Sequence, residues 1–491
     1  MTYQQPPAAL AALVDTKPDP FMLFGPGRNR ILVADRPPNP TIEELRQEKL
    51  RLAGRKINPN NFTPAGARGL RRPVIRYLAE DRLVPLTGLP EDAQLRYLTW
   101  SPRGRRIACC LVTDTGLQVW ATATDGTEFS PRGAADLNNS LGGAPFDFVG
   151  DDHLLIKRRL ADRERPEPPA AVLGPNVQVT GGKKAANRTY TNLLETKYDV
   201  DLFRYYAEGQ LWRYDLTTDR EQPWAKPGII AGVADSPNGN YFIGTYVREP
   251  FPFTVPYEKF ADEVVLMDRD GNELEQLVER PAAENLPPPF DSVIPHRRRF
   301  QWRSDRPATI VWTQALDGGD PRESAPFREQ LWQYDAPFDA PPRPLIQLPL
   351  RYGGLRWGNG DTALVIDWQW SNRRQVMRRF SPDRPEEGLT TLFDLNWEDE
   401  YKDPGNFVAV SRPTGHSVLL TRDGGNTLLL SGAGHRPEGS RPFIDAYDLT
   451  TSETRRLWES TPPYFERPLF FLDEAPEWFL LAREQKEERP N

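Results

Sequence analysis

One short pattern recurs along the chain and limits what it can fold into. An aromatic or small residue leads into a Ser-Pro-type turn with Gly or Asn, and a strand-like run follows. Trp100-Ser-Pro-Arg-Gly-Arg-Arg-Ile-Ala is the clearest copy. Phe24-Gly-Pro-Gly-Arg-Asn-Arg-Ile-Leu-Val and Ala234-Asp-Ser-Pro-Asn-Gly-Asn-Tyr-Phe-Ile match it, as do segments opening at Trp302, Trp357 and Ser411. Weaker copies open at Phe148 and Phe471. Each copy predicts a hairpin, because Pro and Gly set the backbone angles of a polar turn between two strands. A second strand-turn-strand element follows most copies, with Tyr-Asp or Asp-Gly at its turn. It is seen at Leu211-Trp-Arg-Tyr-Asp, Val264-Val-Leu-Met-Asp-Arg-Asp-Gly, Leu331-Trp-Gln-Tyr-Asp and Ile444-Asp-Ala-Tyr-Asp. Two hairpins make a four-stranded antiparallel unit, and such units in radial repetition form a β-propeller.

The expected fold is therefore all-β: a seven- or eight-bladed β-propeller of four-stranded antiparallel blades with short helical insertions. The openers lie about 64 residues apart on average, against roughly 40–50 for a blade. Insertions at Pro37–Pro73 and Arg159–Tyr206 account for the excess. The first carries Thr41-Ile-Glu-Glu44, an N-cap and capping-box pair that predicts a short helix. The domain reading is an N-terminal extension over 1–75 with the first strands and the short helix, propeller blades over 76–466 with an insertion at 159–206, and an incomplete last blade and linker over 467–491.

Composition supports this and excludes other classes. Fifty prolines among 491 residues, about twice the usual share, argue against long helical bundles. Thirteen Trp, 16 Tyr and 23 Phe argue against a disordered chain. A formal charge of -7 is unsuited to general nucleic-acid binding, so no nucleic-acid partner is expected. No apolar run has the length of a membrane span, and Met1 to Asp15 lacks the pattern of a signal peptide, so no membrane partner and a cytoplasmic location are expected. The two cysteines, Cys109 and Cys110, are adjacent in an apolar run and read as core residues of a strand in a reducing compartment.

The sequence also resembles the prolyl-oligopeptidase-type (S9) serine peptidases, and most of all their glutamyl endopeptidase branch. The resemblance is carried by Pro6-Pro-Ala-Ala-Leu-Ala-Ala-Leu-Val-Asp-Thr-Lys-Pro, Glu43-Glu-Leu through Arg51-Leu-Ala-Gly-Arg-Lys-Ile-Asn-Pro, and Lys197-Tyr-Asp-Val-Asp-Leu-Phe-Arg-Tyr-Tyr. It continues in Arg248-Glu-Pro-Phe-Pro-Phe-Thr-Val-Pro, Trp302-Arg-Ser-Asp-Arg-Pro-Ala-Thr, Asp317-Gly-Gly-Asp and Leu350-Arg-Tyr-Gly-Gly-Leu-Arg-Trp. Members of that family pair a β-propeller, which restricts access to small or unfolded peptides, with an α/β-hydrolase domain carrying a Ser, Asp and His triad. The resemblance implies that this chain is the propeller portion alone, with the hydrolase expected beyond Asn491. Its implied partners are an α/β-hydrolase domain, in cis or in trans, and a peptide substrate.

The residues themselves give no catalytic site. A nucleophile elbow needs G-x-S-x-G, and the nearest segment, Gly415-His-Ser417-Val-Leu419, ends in Leu and sits in a predicted hairpin. His153, His296, His416 and His435 have no metal-ligand spacing, so no metal and no cofactor are expected. Asp317-Gly-Gly-Asp320 reads as a turn rather than a calcium loop. Gly181-Gly182 and Gly353-Gly354 lack the Lys-Ser/Thr of a phosphate loop. The acidic residues fall at turns or in runs such as Glu398-Asp-Glu400, which does not favour a paired-carboxylate glycosidase. The chain alone is thus expected not to hydrolyse peptides. Arg248, Arg373 and Arg374 are candidate substrate-binding residues, since guanidinium groups pair with carboxylates in a bidentate fashion. The alternative function is a stand-alone propeller used as a binding scaffold.

Overall fold

A computed structural model describes residues 6–37, 39–169, 189–472 and 478–485. The chain divides into two compact units, Met1–Val233 with Gly244–Glu284, and Ala234–Ile243 with Asn285–Asn491.

The first unit opens with a four-stranded antiparallel sheet of Phe21–Phe24, Arg30–Asp35, Arg71–Tyr77 and Arg82–Pro85. Gln94–Trp100, Ile107–Val112, Leu117–Thr122 and Phe129–Arg132 form the second. A seven-stranded sheet follows in the chain, from Phe146–Val149 to Glu273–Arg280, and residues Ala234–Ile243 within it are counted with the second unit. At its middle runs the 16-residue strand Arg220–Asp235, so the sheet reads as two four-strand runs sharing one long strand. The second unit repeats the meander. Arg298–Trp302, Thr309–Ala315, Glu329–Asp335 and Arg343–Leu348 form one sheet, and Arg351–Asn359, Thr362–Gln369, Arg374–Phe380 and Thr390–Asn396 form the next. Asn406–Phe407, Thr427–Gly432, Phe443–Asp448 and Thr454–Glu459 form a further sheet, in which Thr421–Arg422 also pairs with Thr427–Gly432. The hairpin Phe465–Phe471 with Phe479–Glu484 packs Phe471 and Phe479 on Ile444, Ala446 and Trp458 of that sheet. The fold is an all-β propeller type: within each unit, consecutive antiparallel meanders bury a face against one another.

The turns show why the sequence repeats. Ser101 N donates to Arg106 O and its Oγ accepts from Arg106 N, while Gly104 donates back to Ser101 O at φ 72°. Ser236, Tyr241 and Gly239 reproduce the same bonds at φ 68°. Serine closes the turn with its hydroxyl, and glycine takes the left-handed position that a Cβ disfavours. The opener tryptophans serve a second purpose. Trp100 Nε1 donates to Leu23 O at 3.2 Å and Trp302 Nε1 to Ala234 O at 3.0 Å, tying one hairpin to the strand that carries the preceding opener. The central strand Ile107–Val112 is apolar throughout because both faces are covered; Cys109 and Cys110 are fully buried in it, and burial pushes both thiols up.

The insertions build a layer of their own in the first unit. Thr41 and Glu44 form the expected capping box on the helix Ile42–Arg46, and Thr196 with Asp199 forms another on Lys197–Ala207. Leu202, Phe203 and Tyr206 of the longer helix pack on Leu52, Ile57, Phe62, Phe251, Tyr257 and Phe260. Of the 159–206 insertion, residues 170–188 lie outside the described residues, as do Gly181-Gly182 and the end of the linker, 486–491.

Two of the expected domain boundaries fall inside strands. Position 75/76 falls inside the strand Arg71–Tyr77, whose partner is Arg30–Asp35. The strands Phe21–Phe24 and Arg30–Asp35 share one sheet with Arg71–Tyr77, across the intervening segment 36–70. The position 466/467 likewise lies inside the strand Phe465–Phe471.

Candidate functional site

Trp368 lies one residue before the end of the strand Thr362–Gln369, Trp370 opens the short turn that follows, and Arg373 occupies the left-handed region at φ 59° before Arg374–Phe380 begins. This tight turn gathers an aromatic shelf. The ring centroids of Trp368, Trp370 and Trp397 lie 5.6–6.0 Å apart, and Phe290, 59% exposed, lies 5.0 Å from Trp370. The Arg373 guanidinium covers Trp370 at 4.4 Å and Trp397 at 5.9 Å, and it donates to Glu398 Oε1 at 2.7 Å and to the Trp370 carbonyl. Asp291 anchors the shelf by accepting from Trp370 N at 2.9 and 3.1 Å. Arg374 makes a fork on Asp394 at 2.9 and 2.6 Å, and those hydrogen bonds hold its pKa above the ordinary value. Cation-capped aromatic surface of this kind is suited to contact with a peptide or partner.

Arg248 lies in the first unit. Its Nη1 donates to Glu263 Oε2 at 2.7 Å, and Lys226 Nζ donates to Glu263 Oε1 at 3.0 Å. Burial alone would raise the Glu263 carboxyl, but the two cations hold it below its usual range. Arg248 itself is about half exposed, with its side chain at 48%. All three arginines therefore carry a carboxylate partner from their own unit.

The other marked residues have local roles. Asp317 is clamped by Arg351, at 2.8 and 2.7 Å, and by Arg328 at 2.6 Å, while Asp320 pairs with Arg322. Burial would raise Asp317, yet these guanidinium bonds keep it below the ordinary carboxylate value. Ser417 is exposed, and its hydroxyl meets Ser411 at 3.3 Å. His416 Nε2 lies 4.0 Å from Asp235, and burial lowers its pKa. Sequence reasoning missed one pair: Ser440 Oγ lies 2.9 Å from His435 Nδ1 in a loop between two strands. That imidazole has no carboxylate partner among the described residues, so the constellation stops at two members where nucleophile activation uses a third group to orient the base.

Sequence reasoning also missed a buried charge network in the second unit. Glu329 accepts from Arg298, from Thr313 Oγ1 at 3.0 Å and, at 3.4 Å, from Arg351, which joins it to Asp317. Arg298, Glu329 and Arg351 each stand at the first position of a strand. Charged residues opening every second strand were the available signal.

No family model matches the chain. It is 30% identical over 481 residues, 94% of its length, to a protein of Oryza sativa subsp. japonica named "Probable glutamyl endopeptidase, chloroplastic". It is 29% identical over 503 residues, 99% of its length, to the Arabidopsis thaliana protein of the same name. The chain spans about half the length of these relatives, 51% and 52%. Among solved structures, Porphyromonas gingivalis dipeptidyl peptidase 4 matches 94% of the chain and 56% of its own, with a TM-score of 0.50 at 9% identity, a likeness of fold. The chain is thus a β-propeller protein related in sequence to proteins named as peptidases.

Proposed function

We propose that this chain is the substrate-gating, non-catalytic propeller portion of a glutamyl-endopeptidase-like serine peptidase, acting with an α/β-hydrolase domain in cis or in trans. The observation that carries the reading is the collinear similarity over 94–99% of the chain to two such relatives while spanning about half of each. The division of labour follows from physical needs. Blades stiffened by hairpin turns and indole ties supply a rigid screen, and the triad chemistry needs a strained elbow that this sequence of 491 residues does not contain. Peptide contact falls to surfaces such as the Trp368–Trp370–Trp397 shelf. Arg373 and Arg374 are the better candidates for an acidic substrate side chain. Their partners Glu398 and Asp394 are surface carboxylates, and such pairs are worth only about 0–1 kcal/mol, so exchange for a substrate carboxylate is inexpensive. Arg248 exchanges less readily, because its partner Glu263 is buried.

Co-expression with a hydrolase domain carrying G-x-S-x-G tests the reading. The expected result is a stable complex that cleaves short peptides after Glu and spares folded proteins, with Arg373→Ala and Arg374→Ala weakening the Glu preference. A hydrolase that neither binds the chain nor changes its substrate range in its presence would overturn it.

A further inference from the structure

The strand Arg298–Trp302 stands at the edge of its sheet and carries a bulge. Arg298 lies opposite Thr313 and Gln301 opposite Val311, so this strand spends one more residue than its partner between the two pairs. The side chains show which residue is extra. Arg298 binds Glu329, and Gln301 Nε2 donates to the Tyr352 hydroxyl at 2.6 Å. Phe300 packs on Trp312, with ring centroids 5.5 Å apart. Arg299 is left over, in the left-handed region at φ 59°. A bulge leaves its extra residue unpaired and re-aims it.

That backbone is costly for a residue with a Cβ, and a side chain held there calls for a reason. In the first unit Tyr97, at φ 56°, fills a bulge of the same kind between Arg96 and Thr99, and its hydroxyl accepts from Asn139 Nδ2 at 2.8 Å. Arg299 has no such contact. It is exposed, and its guanidinium makes no hydrogen bond or ion pair among the described residues. Its neighbours in the run differ: Arg297 covers the Trp312 ring at 5.1 Å, and Arg298 is buried on Glu329.

The surroundings are positive. Arg298, Arg328 and Arg351 share the carboxylates of Glu329 and Asp317, which leaves one positive charge over. Asp291 gives Arg351 only its carbonyl, and its carboxylate is taken up by Trp370 N. Arg299 adds its own charge to this group. Burial pushes the Tyr352 phenol up to about 12, and the nearby Arg299 charge works against that rise. A free guanidinium fork beside an excess of buried positive charge is complementary to a planar anion.

We propose that Arg299 anchors an acidic side chain of an extended peptide lying along this strand edge. That the ligand is a peptide rests on the function proposed above; the preference for an anion does not. Arg248, Arg373 and Arg374 must each release a carboxylate before taking another, whereas Arg299 need not. Saturation-transfer difference NMR titrations of the full chain test the proposal with N-acetyl-Ala-Glu-Ala-amide, its Gln counterpart, N-acetyl-Ala-Ala and inorganic phosphate as competitor. The expected result is saturable binding of the Glu peptide and at least about tenfold weaker binding of the Gln peptide. Arg299→Gly loses the preference for Glu yet melts no lower than the wild type, because glycine suits the left-handed backbone. Equal binding of the Glu and Gln peptides, or an unchanged preference in Arg299→Gly, would overturn the proposal. Tighter binding of N-acetyl-Ala-Ala would assign the site to a peptide C-terminus instead, and tighter binding of phosphate to a different anion; either overturns it. So would a lower melting temperature for Arg299→Gly, which would give Arg299 a structural role. Because the isolated chain is titrated, failure to form a complex with a hydrolase would overturn the proposed function and leave this result standing.

Discussion

Replacing Glu329 with leucine strips the buried network of the second unit of its central anion. Glu329 and Asp317 are the two carboxylates facing Arg298, Arg328 and Arg351. The loss falls unevenly. Arg351 keeps both oxygens of Asp317, at 2.8 and 2.7 Å, and Arg328 keeps its bond to Asp317. Arg298 keeps nothing comparable: Glu329 is the carboxylate it touches, and its Nη1 already has no acceptor among the described residues. The variant therefore leaves one buried cation unpaired rather than two. Breaking a buried pair in this way costs about 3–5 kcal/mol, and the retained Asp317 places this case near the lower limit, about 3 kcal/mol. Urea unfolding followed by tryptophan fluorescence should show this as a lowered midpoint. Arg298→Met/Glu329→Leu removes both charges and should recover stability to within about 1 kcal/mol of the wild type. A single variant costing under about 1 kcal/mol, or a double variant worse than the single one, would refute the argument that Arg298 depends on Glu329.

Other expectations follow from the same physical reasoning. Asp317 has a folded pKa below its unfolded one, so it contributes stability above the unfolded value of about 3.9, lost as pH falls through the folded value. Asp317→Asn should flatten the acid limb of a stability-versus-pH curve. Lys157, whose ammonium meets the Ile230 carbonyl at 3.0 Å, has its pKa pushed down by burial to about 8. Between that value and about 10.4 the unfolded chain binds the extra proton, so stability should rise with pH across the window, and Lys157→Met should remove that rise from melting curves. Trp302→Phe loses the indole bond to Ala234 and should lower stability by about 1–2 kcal/mol in the same unfolding assay, more than a surface substitution does.

Local chemistry was the part of the fold legible in the sequence. Ser101, Gly104, Ser236 and Gly239 carry their turns in their own side chains and backbone preferences, so the hairpins could be read from single segments. The Thr41–Glu44 capping box is equally local. The boundary at 75/76 was not legible, because the pairing of Arg30–Asp35 with Arg71–Tyr77 crosses a long insertion that carries no local mark. At the candidate site, Arg373 and Arg374 were marked by the tryptophans beside them, but Trp397, Phe290 and Asp291 come from distant turns.

The most direct test of the non-catalytic reading is exposure of the purified chain to a fluorophosphonate probe, which labels activated serines. Ser440, beside His435, is the serine to inspect first by peptide mapping. The account predicts no labelling at any serine and no cleavage of a Glu-containing peptide by the chain alone, with both appearing once a hydrolase domain is supplied. Stoichiometric labelling of Ser440, or of any other serine in the isolated chain, would contradict it.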